Sequence, residues 1–204
     1  MSNNNLLKHI AETGYNVGYT AKLHFSSFEA IEKLPGLLSF ISLAFGVYAL
    51  AFAELSTKFA SCTLLVLGMI GLYISLKNSD KSNFEQKGIV LTGLFNELKH
   101  LMSDVKSSRK NEDEASELLK DIENRYNSSC ASHHIMFATW FAHYKFFWEQ
   151  QTQWIEEYRP FSLWRDKVPL TLWLTLIIAT VLIAYRFIDV VSAACRISTL
   201  VSGS

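Results

Sequence analysis

The side chains able to do chemistry in this chain are few and scattered. Of its six histidines and three cysteines, the densest set is Cys130, His133, His134 and His143. Zinc needs three or four nitrogen or sulfur ligands converging tetrahedrally, usually as pairs at short fixed spacing. Helical rise would carry His133 about 15 Å from His143, and no second pair has finger or HExxH spacing. No metal and no cofactor are therefore expected. His9, His24 and His100 are isolated and read as interfacial or solvated. Cys62, Cys130 and Cys195 match no CxxC spacing, so the first and last read as apolar packers and Cys130 as a reduced cytosolic thiol, without a disulfide scaffold. The acid pair Glu156-Glu157 and the run Glu112-Asp113-Glu114 read as solvated helix faces and a cap. Arg186 and Asp189 are spaced for an ion pair. There is no P-loop, GxGxxG or GxSxG, and nothing nominates an enzyme. With 19 basic and 19 acidic residues, no electrostatic footprint for nucleic acid exists either.

Two apolar runs, 36–53 and 59–76, contain no Asp, Glu, Lys or Arg and are separated by Glu54-Leu55-Ser56-Thr57-Lys58. Each is about 18 residues, roughly 27 Å of helix, close to the ~30 Å hydrocarbon core of a bilayer. They predict a transmembrane hairpin. A third run is apolar over 168–185 and ends at Arg186, which can snorkel, so a third span over 168–188 is expected, with a tail at 189–204. Buried core helices are the competing reading, but apolar runs there are usually shorter. The expected fold is an all-α integral membrane protein: an amphipathic arm (1–35), the hairpin (36–76), a helical cytosolic domain (77–167) and the third span. The first 35 residues lack the short apolar core of a signal peptide, so the first span is expected to direct insertion. Lys22 and Lys33 precede the hairpin and Lys77, Lys81 and Lys87 follow it, against Lys58 in the turn. The positive-inside bias puts the N-terminus and 77–167 in the cytoplasm. Arg159, Arg165 and Lys167 against Arg186 and Arg196 give a slight bias that agrees and leaves the tail outside.

In the arm, Leu6, Leu7, Ile10, Val17, Ala21, Phe25, Phe28 and Ile31 fall on one side of a helix, which Gly14 and Gly18 weaken. The arm is expected to lie on the bilayer or on the cytosolic helices, with a kink or break at Pro35-Gly36. After the hairpin, Leu91, Leu94, Phe95, Leu98, Leu101, Met102 and Val105 step by three and four and form a stripe that needs a partner. Past a solvated loop, Asn111 or Asp113 caps a helix carrying Ala115, Leu118, Leu119, Ile122 and Tyr126 that doubles back on it. From 133 to 164 the chain is rich in aromatics at spacings that suit a helix, with an interfacial belt expected near Pro160 and Trp164.

The hairpin carries a second pattern. Ser39, Ser42, Gly46, Ala49 and Ala53 recur by three and four along the first run, and Ser61, Gly68, Gly71 and Ser75 along the second. Small residues let helices in lipid approach closely. Two readings follow: the faces meet within one hairpin, or at least one meets a neighbouring copy or lines a narrow pore. The absence of ionisable residues disfavours a proton relay or charge-selective transporter, so such a pore would be weakly selective with a hydrophobic constriction.

The chain resembles the SLATT family of two-helix membrane effectors over roughly residues 6–144. The matching features are Tyr15, Asn16, Tyr19, Ala21, Lys22 and His24 in the arm, the tight hairpin after Pro35, the long helix 84–105, and the second cytosolic helix ending Ile122-Glu123-Asn124-Arg125-Tyr126-Asn127. The third apolar run lies outside that two-helix core. The resemblance implies an inner-membrane effector of a bacterial anti-phage system of the cyclic-oligonucleotide or retron type. It also implies a homo-oligomer that perforates the membrane when a partner, a sensor or a nucleotide-signal-producing protein of the same operon, reports infection. On that expectation, the stripe Leu91, Leu94, Leu98, Leu101 and Val105 holds the hairpins in an inactive assembly. The rival expectation is a non-conducting anchored scaffold that recruits a cytosolic partner. A membrane enzyme using Cys130, His133 and His134 is a third idea.

Overall fold

In a computed structural model of the chain, the described residues are 3–52, 57–130, 134–135, 137–150, 152–162, 166–181 and 183–184. They form helices, with no strand among them. The chain divides into two units, Met1–Phe161 and Ser162–Ser204.

One helix organises the first unit. α1 (Asn3–Ala51) has 49 residues, about 74 Å at 1.5 Å per residue. Of the kink or break expected at Pro35-Gly36, the break does not occur: α1 runs through Pro35. A proline removes one N–H bond and crowds one carbonyl, a cost that packing on the N-terminal side as far as Ile31 offsets. The Ser39 hydroxyl donates to the Pro35 carbonyl oxygen at 2.9 Å. α2 (Lys58–Ser75) returns beside α1 and starts at Thr57, whose Oγ1 accepts from the Ala60 N–H at 3.2 Å. Ala53 and link residues 54–56 lie outside the described residues.

A tight turn at Asn78–Asp80 leads into α3 (Lys81–Lys106), followed by α4 (Glu112–Ser129). Asn111 is the cap: its Oδ1 accepts from the Glu114 N–H at 2.8 Å. Glu112, Asp113 and Glu114 occupy the first turn, where carboxylates complement the helix dipole. The aromatic segment is not one helix. It comprises α5 (Ala138–Tyr144), a wide π turn (Lys145–Glu149) and α6 (Gln153–Glu156). The extra residue in the π turn brings adjacent Phe146 and Phe147 both against Tyr15, with ring centroids 5.4 and 6.4 Å away. Before α5 the chain turns at Phe137 in the left-handed region, φ 68°.

The core of this unit is built as in a protein that folds in water. Leu6, Ile10, Val17 and Ala21 of α1 interleave with Leu91, Leu94, Leu98 and Val105 of α3, and Ala115, Leu119 and Ile122 of α4 close the layer. Of the two expectations for the arm, packing against the other helices is the one found, and α1 is the main partner of the α3 stripe. Gly14 and Gly18 do not weaken α1. A Cβ on Gly14 would lie 2.4 Å from Trp154, and one on Gly18 2.7 Å from Phe95 and 2.9 Å from Phe146, so both glycines seat aromatic rings. Tyr158 and Phe161, expected near an interfacial belt, pack on this core as well. Arg159 lies over the Tyr15 ring at 3.7 Å, while Trp164 is outside the described residues.

In the second unit, the Ser162 carbonyl accepts from the Asp166 and Lys167 N–H groups at 2.9 and 3.3 Å. The apolar helix α7 (Leu170–Val181) follows and is shorter than the two spanning-length helices. Thr175 and Thr180 donate back to Thr171 and Leu176. Residues 182 and 185–188 of the expected third span, Arg186 among them, and the tail with Asp189, Cys195 and Arg196 lie outside the described residues.

Candidate functional site

The α1–α2 hairpin presents large side chains outward. Phe40, Leu43, Val47 and Leu50 on α1 and Leu65, Val66, Met69 and Leu72 on α2 are exposed, and both helices are long and apolar enough to cross a membrane. Between the helices, Ser39 and Ser42 share a cavity of about 310 Å³ with Gly68, Gly71 and Ser75. Close approach occurs at Gly71, where a Cβ would lie 3.4 Å from Leu38. Gly46 and Gly68 differ, since a Cβ at either would meet nothing within 4 Å. Ser61 is exposed and Ala49 half-buried. The hydroxyls of Ser39 and Ser61 are held by carbonyls one turn back, Pro35 and Thr57, which lowers the cost of placing them in an apolar surrounding.

The α3 stripe is already covered. Leu91, Leu94, Leu98, Leu101 and Val105 are all buried against α1 and α4, and polar bonds flank this seam. Arg125 of α4 makes two 2.8 Å bonds to Glu97 of α3. Glu123 accepts from Thr13 at 2.9 Å and pairs with His9 at 2.9 Å. Lys81 reaches Glu32 at 3.2 Å.

Of the residues considered for metal or catalytic chemistry, Cys130, His134 and His143 are described. Among the described residues no group of three or more His, Cys, Asp or Glu side chains converges. Cys130 is exposed and donates to the Tyr126 carbonyl. His143 lies 3.2 Å from the Tyr19 hydroxyl. Burial, then the nearby Tyr15, pushes the Tyr19 pKa up to about 12. His133 is outside the described residues.

His24 departs from its reading as interfacial or solvated. It is 0% exposed, edge-on to His134 with ring centroids 4.9 Å apart, and 5.8 Å from Phe84. Neither ring nitrogen has a partner among the described residues. Burial, followed by His134 and Lys87, lowers its pKa to about 4, so it is neutral at pH 7. Ser27 completes the group: its hydroxyl lies 3.3 Å from His134 Nδ1 and 3.0 Å from the Leu23 carbonyl. The signal was present in the sequence, because His24 stands seven residues after Val17 and seven before Ile31, on the face those two bury.

Fold and surface together define a class: a helical stem carrying a two-helix apolar hairpin of membrane-spanning length. Residues 1–176 match the family model described as SMODS and SLOG-associating 2TM effector domain 6, and the chain belongs to this SLATT family. Membership implies a membrane effector role in defence conflict systems, and the family is one of effector domains rather than a known catalytic one. No curated protein and no solved structure matches the chain.

Proposed function

We propose that this effector oligomerises in the bacterial inner membrane through its hairpin and permeabilises the membrane on activation. The observation that carries the reading is the open space at Gly46 and Gly68. Helices in lipid associate where small residues allow close backbone contact, and these two positions lack such contact within the hairpin. A neighbouring copy can supply it. The N-terminus and 77–167 are then cytoplasmic, where a sensor or nucleotide-signal-producing protein of the same system acts on the stem. The α1–α3 seam is the latch, and a partner that loosens it frees the hairpins to associate.

Membrane potential and dye entry test the proposal in cells carrying the chain, its neighbouring genes and a phage challenge. Depolarisation with the wild type, lost with Gly46→Leu at equal membrane abundance, is the expected result. A silent membrane in both forms contradicts it. One observation favours a non-conducting scaffold: Phe137, Phe141, Tyr144 and Trp148 are exposed, the last two stacked with ring centroids 6.5 Å apart, a surface suited to a protein partner. That scaffold would keep partner capture in Gly46→Leu and never depolarise.

A further inference from the structure

Where α1 passes from stem to apolar segment, it shares a cavity of about 260 Å³ with Phe141 of α5 and Lys145 of the π turn. The α1 side of this cavity changes character in order. Ser26 comes first, then Glu29 and Lys33, then the apolar Leu34 and Leu37, all on one helical stripe. Glu29 forms an ion pair with Lys145 and lies 3.6 Å from Lys33. Two lysines against one carboxylate leave a single positive charge. Ser26 is the independent sign that something polar belongs here: it is 1% exposed, and its hydroxyl has no partner among the described residues. A buried hydroxyl without a hydrogen bond is costly and uncommon.

We propose that this cavity is a seat for one anionic phospholipid, its phosphodiester accepting from the N–H donors of Lys33 and Lys145 that Glu29 does not take, its polar head toward Ser26 and its acyl chains along Leu34, Leu37 and Phe141. The order of side chains along α1 is the order of groups in such a lipid. One net positive charge matches one phosphodiester, and Ser26 and Glu29 suit the hydroxyls of a glycerol head group. The chains continue along the exposed apolar face of α1. Lys33 stands three residues before Gly36, about 4.5 Å along the axis, at the depth of lipid phosphates if the apolar segment spans. The seat therefore rests on the membrane reading above.

The test uses the full chain in vesicles of phosphatidylcholine alone and of phosphatidylcholine with phosphatidylglycerol, with alkaline extraction to read insertion. Native mass spectrometry after mild detergent extraction reads retained lipid. Retention of phosphatidylglycerol about tenfold over phosphatidylcholine, falling to parity in Ser26→Ala/Lys33→Gln with insertion unchanged and restored by Lys33→Arg in place of Lys33→Gln, is the expected result. Equal retention of both lipids, or no change in the double variant, overturns the seat and leaves the membrane reading standing. Inorganic phosphate that occupies the site and displaces the lipid assigns it to a soluble anion and overturns the lipid proposal. Failure to insert into either vesicle overturns the membrane reading itself.

Discussion

The two halves of α1 follow opposite rules. Up to Ile31 its large apolar side chains are inside: Ile10, Val17 and Ile31 are buried against α3 and its neighbours. From Leu37 onward most large side chains are outside, to the extreme of Leu50 at 91% exposure, and Ser39 and Ser42, with Leu38, line the side toward α2. The stem is held by apolar burial, which needs water as the alternative. A hairpin in lipid would gain nothing from hiding leucine, so on the membrane reading proposed above its association depends on close fit and backbone approach. The same residue type therefore does different work above and below Pro35.

Glycines give the largest test of that contrast. Gly18→Leu drives a side chain into Phe95 and Phe146 and is expected to destabilise the stem by roughly 3 kcal/mol or more, read as loss of the cooperative thermal transition by circular dichroism in detergent. Gly68→Leu meets open space and should leave that transition within about 0.5 kcal/mol of wild type. Leucines come next. Leu98→Ala opens a cavity at a fully buried position and should cost about 3 kcal/mol, whereas Leu50→Ala should cost little in detergent. If the two leucines cost the same, the boundary between the regions is misplaced.

A smaller effect comes from pH. His24 has its folded pKa lowered to about 4, from an ordinary value of 6.5. The unfolded chain therefore binds a proton that the folded chain refuses as pH falls from about 6.5 to 4. Stability contributed by neutral His24 is complete above 6.5 and is lost through that window, by about 3 kcal/mol. His24→Phe should flatten this part of the stability profile in denaturant titrations. The smallest effect is expected at Arg125. Its pair with Glu97 is half-exposed, and Arg125→Ala should cost about 0.5 kcal/mol, shrinking with salt.

The stripe of α3, the cap at Asn111 and the two apolar runs could be read from sequence because each is a local period or a local chemical fit. The α3 stripe stated that a partner was needed, and α1 supplies it from more than sixty residues away. No local signal carries that pairing. Gly14 and Gly18 were misleading for the same reason: a glycine reads as a helix breaker until the ring that sits on it is known. Pro35 misled because packing on its N-terminal side offsets the lost hydrogen bond. In the aromatic segment, helical spacing alone could not reveal a π turn. His24 was legible in retrospect, but its type suggested a surface and only its position, in step with Val17 and Ile31, argued otherwise. For the hairpin, the small-residue period was plain, while the open space at Gly46 and Gly68 required coordinates.

The most direct measurement is cross-linking between copies at the open face. In a background with Cys62, Cys130 and Cys195 replaced by alanine, Gly46→Cys is oxidised in membranes before and after activation of the whole system, and products are separated by size. Disulfide-linked dimers that appear on activation and are absent with a cysteine at Tyr48, exposed on the opposite side of the helix, are the predicted result. No cross-link at Gly46 under activation that depolarises the cells would contradict association through the small-residue faces.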